Sequence, residues 1–234
     1  AKLAPALAIW AAISVLYGSL AAIAQTDMKR MVAYSSVGHM GYVLLAAAAA
    51  TPVALLGAVF QMVSHGLISA LLFLLVGIVY RKTGTRDLEV LRGLLNPEKG
   101  LPFTGTLMIV AVMASAGLPG MAGFISEFLV FRGAITTFPL ATLLSMVGSG
   151  LTAVYFLLLV NRAFFGRLAI TPPSGEPLVD TRLDVRLAPV APRETIPAIA
   201  LVAGVVVLGL LPSCLSRLSE VATTAMALTT TGVS

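Results

Sequence analysis

The feature that most constrains the fold of this chain is a series of long apolar segments, each on the scale of the roughly 20 residues that cross a bilayer as a helix. They cover residues 3–24, 31–50, 53–80, 101–136, 139–160 and 196–211. Backbone N–H and C=O groups inside a bilayer have to pair within the protein, so apolar segments of this length predict helices. Composition agrees, because 58% of the 234 residues are apolar and only 11% are charged. The sequence therefore predicts an all-α fold, a polytopic bundle of transmembrane helices.

The fourth segment is unusual because it contains helix breakers and an acid. Its 36 residues are too many for one straight crossing and barely enough for two. At its centre, AVMASAGLPGMAGFISEF (residues 111–128) contains Gly117, Pro119 and Gly120 and ends beside Glu127. Two interpretations fit this stretch equally well. It is either an ordinary loop between two short helices or a single membrane helix interrupted at Gly-Leu-Pro-Gly.

The distribution of basic residues favours one of these interpretations. Lys and Arg in short loops concentrate on the cytoplasmic side of a membrane protein. If the fourth segment crosses once, the loops after segments one, three and five share a side and hold 12 of the 15 basic residues. These are Lys29, Arg30, Arg81, Lys82, Arg86, Arg92, Lys99, Arg162, Arg167, Arg182, Arg186 and Arg193. If the segment crosses twice, the last five change sides and the asymmetry is lost. We therefore predict six spans, one of them discontinuous, with both termini outside.

Composition also limits the chemistry of the chain. Cys214 is the only cysteine, which excludes an internal disulfide and a cysteine-ligated metal centre. The net charge of +5 comes from basic residues in loops between apolar segments, so nucleic acid is not an expected partner. The apolar segments themselves make lipid an expected partner. The sequence has no Walker motif, dinucleotide fingerprint or zinc-ligand spacing. We expect no cofactor, no metal site and no redox chemistry in this chain.

Glu127 is the first candidate for chemistry. Ionisable residues inside membrane segments are rare and mark functional sites by default. Discontinuous helices with an ionisable residue near the break are typical of ion sites in transporters. Glu127 follows Gly120 by seven residues, about two helical turns, so it can point back towards the cavity that the break creates. The alternative is an acid at the membrane interface beside an ordinary loop.

The two histidines of the chain, His39 and His65, also lie inside apolar segments. Histidine titrates near neutral pH and can accept a proton on one ring nitrogen while it releases one from the other. Each has polar neighbours at helical spacing: Ser35 and Tyr42 for His39, and Gln61 and Ser69 for His65. The alternative is that each histidine only hydrogen-bonds between helices. Together with an acid at a broken helix, the two polar stripes favour a proton path through His39, His65 and Glu127.

A third polar stripe occurs in the fifth segment, where Ser145, Ser149 and Thr152 recur at helical spacing. Small residues four positions apart mainly allow helices to pack closely. We therefore assign this stripe to helix packing.

Four ordered blocks of the sequence resemble a known family. They are TDMKRMVAYSSVGHMGYVLL, QMVSHGLISALLFLLVG, TRDLEVLRGL and ASAGLPGMAGFISEFLVF. In order and spacing they are similar to the antiporter-like membrane subunits of respiratory complex I and its photosynthetic relatives. The resemblance is strongest to the subunit 4 type, called NuoM in bacteria and NdhD in cyanobacteria and chloroplasts. Sibling subunits and Mrp-type antiporters generally have Lys at the position of Glu127, and the largest sibling has Lys where Ser69 stands.

The resemblance implies how the chain is divided. A full subunit of that family has fourteen spans, with two inverted five-helix repeats that each contain a broken helix. Residues 1–166 would then be the second repeat, 167–194 a polar loop on the cytoplasmic side, and 195–234 the final transmembrane helix and C-terminal tail. Because Ala1 is not an initiator Met and leads straight into a span, we also expect further sequence upstream. His39 and His65 match the family's central-axis histidines, and Glu127 matches its broken-helix acid.

The resemblance further implies a function. The chain would translocate protons in a complex I-like NAD(P)H or ferredoxin:quinone oxidoreductase, with sibling membrane subunits beside it and with iron-sulfur clusters and quinone in partner subunits. The resemblance favours a photosynthetic form of the complex in a cyanobacterial thylakoid membrane, with a link to carbon dioxide uptake as one role. The other location that it allows is a bacterial inner membrane. Two alternatives are a Mrp-type sodium/proton antiporter subunit and a structural membrane-arm scaffold that moves no ion.

Overall fold

The computed structural model describes residues 3–170 and 187–231. The described residues form the helices α1 (Ala4–Ile23), α2 (Met28–Ala49), α3 (Pro52–Thr83), α4 (Pro102–Ser115), α5 (Ala122–Ala134), α6 (Pro139–Phe164), α7 (Pro192–Leu210) and α8 (Ser213–Thr231). Two short strands, β1 (Leu91–Arg92) and β2 (Ala169–Ile170), pair antiparallel. The middle of the predicted polar loop, residues 171–186, lies outside the described residues, as do Arg182 and Arg186.

The helices begin where the sequence provides residues suited to a helix start. Proline occupies the first turn of α1, α3, α4, α6 and α7, where its missing N–H would have no partner in any case. Asp27 caps α2 by accepting a hydrogen bond from the Arg30 backbone N–H at 3.0 Å. Thr51 caps α3 in the same way, accepting from Ala54 N–H at 3.2 Å. These caps satisfy N–H groups that the first turn of a helix leaves unpaired.

The three basic loops lie on one side of the bundle, as charge counting predicted. The loop after α1 contacts the loop after α3, because Met28 N–H donates to Arg86 C=O at 3.0 Å and Leu88 N–H donates to Thr26 C=O at 2.8 Å. The loop after α3 in turn pairs with the segment after α6 through β1 and β2. The ends of α1, α3 and α6 are therefore joined at one face.

The fourth apolar segment runs from this face to the opposite one. The chain enters α4 beside β1, where Leu101 N–H donates to Leu94 C=O at 2.6 Å. At the other end of the segment, Thr51 in the α2–α3 turn donates to Gly133 C=O at 2.9 Å. The α2–α3 turn is one helix length away from the basic face, so α4 and α5 together make one interrupted crossing. With α1, α2, α3, α6 and α7, which are long and apolar enough to cross a membrane, this confirms the predicted six spans.

Small residues allow the close helix contacts that position the acid. A Cβ on Gly18 of α1 would lie 2.5 Å from Gly38 N of α2, and a Cβ on Gly57 of α3 would lie 2.6 Å from Val130 N of α5. Helices in membranes pack through such small residues because apolar burial does not distinguish a neighbouring helix from lipid. The result is that α5 packs against both α2 and α3, the two helices that contain the histidines.

The structure differs from the sequence prediction outside the membrane spans. The end of the chain, predicted only as a tail, forms α8, which packs against α3. Several spans also extend beyond their apolar residues: α3 continues to Thr83, α6 continues to Phe164, and α7 begins at Pro192. Hydropathy marks the part of a helix that lies in lipid and gives no signal for the polar turns beyond it. The all-α class is confirmed, with β1 and β2 as the strands among the described residues.

Candidate functional site

The site is built around the interruption between α4 and α5. Six residues, 116–121, separate the two helices, and Gly117 and Gly120 adopt φ values of +75° and +91°. L-residues with a side chain rarely take these values, so glycine is required at both positions. A Cβ on Gly117 would also lie 3.2 Å from Glu127 Oε2, and one on Gly123 would overlap the Ala114 carbonyl oxygen. The break therefore brings backbone close to the acid.

Glu127 projects from α5 into the interior of the bundle. It is 5% exposed, and its two carboxyl oxygens face different helices. The Ser149 hydroxyl of α6 donates to Oε2 at 2.5 Å. Oε1 lies 3.9 Å from Nδ1 of His39 on α2. The predicted position of Glu127, turned back towards the break, agrees with this geometry.

His39 is buried and contacts both halves of the interrupted crossing. Its Nε2 lies 3.1 Å from the hydroxyl of Ser115, the last residue of α4. Its Nδ1 lies 3.4 Å from the side-chain nitrogen of Gln61 on α3. Each ring nitrogen of His39 therefore has a polar neighbour on a different helix.

His65 lies beside His39 on the neighbouring helix. The two rings have centroids 5.1 Å apart, with an interplanar angle of 39°. His65 is half-buried, and the Ser69 hydroxyl lies 3.0 Å from its Nε2. The predicted pairing of His65 with Ser69 is therefore present. Gln61, the other polar neighbour of His65 on α3, contacts His39 of α2, so Gln61 and His65 both face that helix.

A small enclosed cavity lies between these residues. Its volume is about 10 Å³, close to the space that one water molecule occupies. The lining includes His39, Gln61, Ser64, His65, Ile68, Ser115, Gly123 and Glu127. Among the described residues, the side-chain oxygen of Gln61 is buried without a hydrogen-bond partner. Polar groups from α2, α3, α4 and α5 thus converge on one point next to the helix break.

Sequence reasoning missed two members of the site. Ser149 belongs to the stripe assigned to packing, but its hydroxyl bonds Glu127. The packing assignment does fit its neighbours, because Ser145 and Thr152 donate to the backbone carbonyls of Ala141 and Gly148. Ser115 was not singled out at all. The position of Ser115 directly before the break could have indicated that it belongs to the site. For Ser149 the sequence contains no such signal, because nothing in it distinguishes Ser149 from Ser145.

The arrangement can hold and pass protons. A carboxyl and two imidazoles are groups that bind and release protons, and hydroxyls and an amide connect them. Within residues 3–170 and 187–231, no group of three or more His, Cys, Asp or Glu side chains is placed to hold a metal ion.

Comparisons with known proteins identify a family of membrane subunits. Residues 1–152 match the family described as NADH:quinone oxidoreductase/Mrp antiporter, TM. The chain is 39% identical, over 97% of its length, to NAD(P)H-quinone oxidoreductase chain 4 1 of Synechococcus elongatus and covers 41% of that protein. It is 42% identical, over 68% of its length, to F(420)H(2) dehydrogenase subunit M of Methanosarcina mazei and covers 32% of that protein. The chain thus spans about two fifths or less of the length of these relatives.

Solved structures show the same fold. A chain of respiratory complex I from Thermus thermophilus with bound NADH superimposes with a TM-score of 0.85 at 28% identity. The match covers 97% of this chain and 44% of that one. A chain of the Mrp complex from Dietzia sp. superimposes with a TM-score of 0.81 at 23% identity, over 96% of this chain and 47% of that one.

Proposed function

The chain belongs to the NADH:quinone oxidoreductase/Mrp antiporter family, and we propose that it translocates protons as a membrane subunit of a complex I-like quinone oxidoreductase. It is an integral membrane protein. The electron donor, NAD(P)H or ferredoxin, and the quinone react in partner subunits, which contain the iron-sulfur clusters. This chain performs the proton movement that quinone reduction drives.

One observation carries the proposal: His39, His65 and Glu127 come from three different helices and meet at the helix break. The two imidazole rings are 5.1 Å apart, and His39 Nδ1 is 3.9 Å from Glu127 Oε1. Ionisable side chains inside a membrane bundle are costly and mark transport sites by default, and here two of the three, His39 and Glu127, are buried. The spacing allows protons to pass between them through small side-chain movements or through one water molecule.

Directional transport needs more than a chain of proton-binding groups. A site moves an ion only if its affinity differs between two states, and the energy for that difference comes from a coupled event. Here the proton passes along His65 and His39 to Glu127, whose affinity for it alternates as charges on adjoining residues and subunits change. We assign this alternation to the interrupted helix, because residues 116–121 are not held by a regular helical ladder.

The family membership also supports a division of the chain into a repeat, a connection and a final helix. The proposed division is residues 1–166 as the second antiporter-like repeat, a connection on the cytoplasmic side that ends where α7 begins at Pro192, and α7 as the final transmembrane helix, followed by α8. Sibling membrane subunits and lipid are the partners. The cyanobacterial source of the relative from Synechococcus elongatus supports a photosynthetic complex in a thylakoid membrane.

The alternative function is that of a Mrp-type sodium/proton antiporter subunit, because a chain of an Mrp complex has the same fold. The two functions differ in their dependence on sodium, since an antiporter subunit requires sodium for proton movement and a redox-driven pump does not. Proton uptake in sealed vesicles, measured with and without sodium at fixed ionic strength, distinguishes the two.

The proposal is tested by replacing Glu127 with Gln in the full-length protein within its native membrane. Redox-driven acidification of sealed vesicles should fall at least about 100-fold, the lower end of what a positioned proton-transfer group contributes. Glu98→Gln is the matched control, because Glu98 is exposed in the loop after α3. Undiminished acidification by Glu127→Gln in an intact complex would contradict the site and favour a structural scaffold.

A further inference from the structure

The two carboxyl oxygens of Glu127 have different partners, and only one of them is hydrogen-bonded to a side chain. Ser149 Oγ donates to Oε2 at 2.5 Å. This length falls in the range of 2.5–2.7 Å that is typical of hydroxyl groups bonded to a carboxylate. The bond joins α5 to α6 and is the shortest polar contact that Glu127 makes.

The other oxygen faces His39 but does not bond it. The separation of 3.9 Å between Oε1 and Nδ1 exceeds the 2.7–3.2 Å of an N–H···O hydrogen bond. Gln61 donates to the same Nδ1 atom from a distance of 3.4 Å. In this structure the nearest polar groups to the ring nitrogens of His39 therefore belong to α3 and α4, while Glu127 is bonded to α6.

We infer that Ser149 is a positioning residue that holds Glu127 against α6, so that direct proton exchange between Glu127 and His39, without a bridging water molecule, requires the carboxyl to leave the Ser149 hydroxyl. The inference rests on the proposed proton path and adds a control point to it. Bonded to Ser149, the acid makes no direct hydrogen bond to His39. Released from Ser149, it can approach His39.

The surroundings of Ser149 suit this role because its backbone is held in place. Gly148 packs so closely on α1 that a Cβ there would overlap the side chain of Val15. The buried hydroxyl of Ser19 donates to Gly148 C=O at 3.3 Å. A hydroxyl on a fixed backbone can set where the carboxyl rests.

The surroundings of Glu127 allow it to move. Gly117 has no side chain next to Oε2, which leaves space beside the carboxyl on the side of the break. Closing the gap from 3.9 Å to a hydrogen bond takes about 1 Å, a distance within reach of a side-chain rotation. No helix has to shift for the carboxyl to change partners.

Beyond Ser149, further hydroxyls continue along α6. The Tyr155 hydroxyl donates to Thr152 Oγ1 at 3.3 Å and lies beside Ser35 of α2. The Tyr42 hydroxyl lies near Ser149 and Thr152. Oε2 of Glu127 thus faces the hydroxyl of Ser149 and the hydroxyls beside it, whereas Oε1 faces His39.

Infrared difference spectroscopy on the intact membrane complex tests this inference. The carboxyl bands of Glu127 are identified by their loss in Glu127→Gln. Removing the hydroxyl in Ser149→Ala should shift these bands, and Ser149→Thr, which keeps a hydroxyl, should restore them towards their original position. Ser145→Ala is the matched control, because Ser145 lies one turn away on α6 and its hydroxyl donates to the Ala141 carbonyl of the same helix.

The outcomes separate this inference from the proposed function. Glu127 bands that stay unchanged in Ser149→Ala, or that shift equally in Ser145→Ala, would overturn the positioning role whether or not the chain pumps. A shift in Ser149→Ala together with unaltered coupling of pumping to quinone reduction would also overturn it. Failure of the proposed function would be seen in a different measurement, the acidification of vesicles, as normal acidification by Glu127→Gln.

Discussion

His39 Nδ1 on α2 and Glu127 Oε1 on α5 lie 3.9 Å apart, about 1 Å beyond hydrogen-bond range. The distance is a consequence of the break between α4 and α5, which lets α5 start at Ala122 and turn its acid towards α2. A contact at this separation can be made and broken by side chains alone. The account therefore predicts that residues around the pair affect transport more than stability.

Gln61 is one such residue, because its amide contacts His39 Nδ1 at 3.4 Å. In Gln61→Met the side chain keeps its size but loses the donor, and a typical hydrogen bond contributes about 1 kcal/mol. We expect redox-driven proton pumping to slow several-fold while the complex still assembles. Gln25→Met is the matched control, since the Gln25 side chain, just after α1, donates to the Ala21 carbonyl at the end of that helix. Pumping at the wild-type rate in Gln61→Met would argue against a role for this contact.

The glycine at the break gives a second prediction. In Gly117→Ala the new Cβ has to occupy a φ of +75° and would lie 3.2 Å from Glu127 Oε2. We expect a loss of about 1 kcal/mol of stability from the backbone conformation and a marked loss of pumping. Gly66→Ala on α3 provides the comparison, because a Cβ there meets no atom within 4 Å and alanine favours the helix. Thermal unfolding in detergent and acidification in vesicles measure the two effects, and equal behaviour of the two variants would be the contrary result.

Glu194 is expected to be structural. Its Oε1 pairs with Arg81 of α3 at 2.7 Å, and its Oε2 accepts from the Ala191 backbone N–H at 3.0 Å, which caps α7. Glu194→Ala removes both contacts and leaves the N–H unpaired, so we expect a loss of about 1–2 kcal/mol in thermal unfolding. Glu98→Ala, an exposed change in the loop after α3, should leave the unfolding temperature unchanged. Equal unfolding temperatures for the two variants would show that the Arg81 pair and the cap contribute nothing.

Asp27 predicts a pH dependence of stability. Burial raises the pKa of its carboxyl, but hydrogen bonds from Arg30 N–H and the Arg86 side chain, with the Arg86 charge, outweigh burial and hold the pKa below its usual value. A lowered folded-state pKa means that the carboxylate stabilises the protein above the usual Asp pKa and that this contribution is lost as pH falls through the lowered value. The difference in unfolding temperature between wild type and Asp27→Asn should therefore be largest near neutral pH and shrink below about pH 4. A difference that grows on acidification would contradict the pairing with Arg86.

The membrane topology could be predicted because it depends on properties that the sequence shows directly. Apolar length and the side on which Lys and Arg lie set the number of crossings, and the Gly-Leu-Pro-Gly interruption of the fourth segment follows from them. The placement of Glu127 near the break also follows, since helical spacing fixes its position relative to Gly120. All of these properties are local along the chain.

The contacts between helices could not be predicted in this way. Whether Gln61 meets His65 on its own helix or His39 on the next depends on how α2 and α3 rotate about their axes. The bond from Ser149 to Glu127 depends likewise on the rotation of α6, and Ser145 at similar spacing faces elsewhere. In lipid, hydropathy assigns no inward face to an apolar helix, so rotation is set by packing of small residues that the sequence does not rank. For α8, no apolar signal indicated its packing on α3.

The central claim, that His39 and Glu127 serve one proton path, is tested most directly by comparing His39→Gln, Glu127→Gln and the double variant. The measurement is the number of protons moved per electron in sealed vesicles that contain the intact complex. Groups that act as a unit are strongly non-additive, so the account predicts that the double variant is no more impaired than the more severe single variant. Losses that multiply in the double variant would show that the two residues act independently and would contradict the claim.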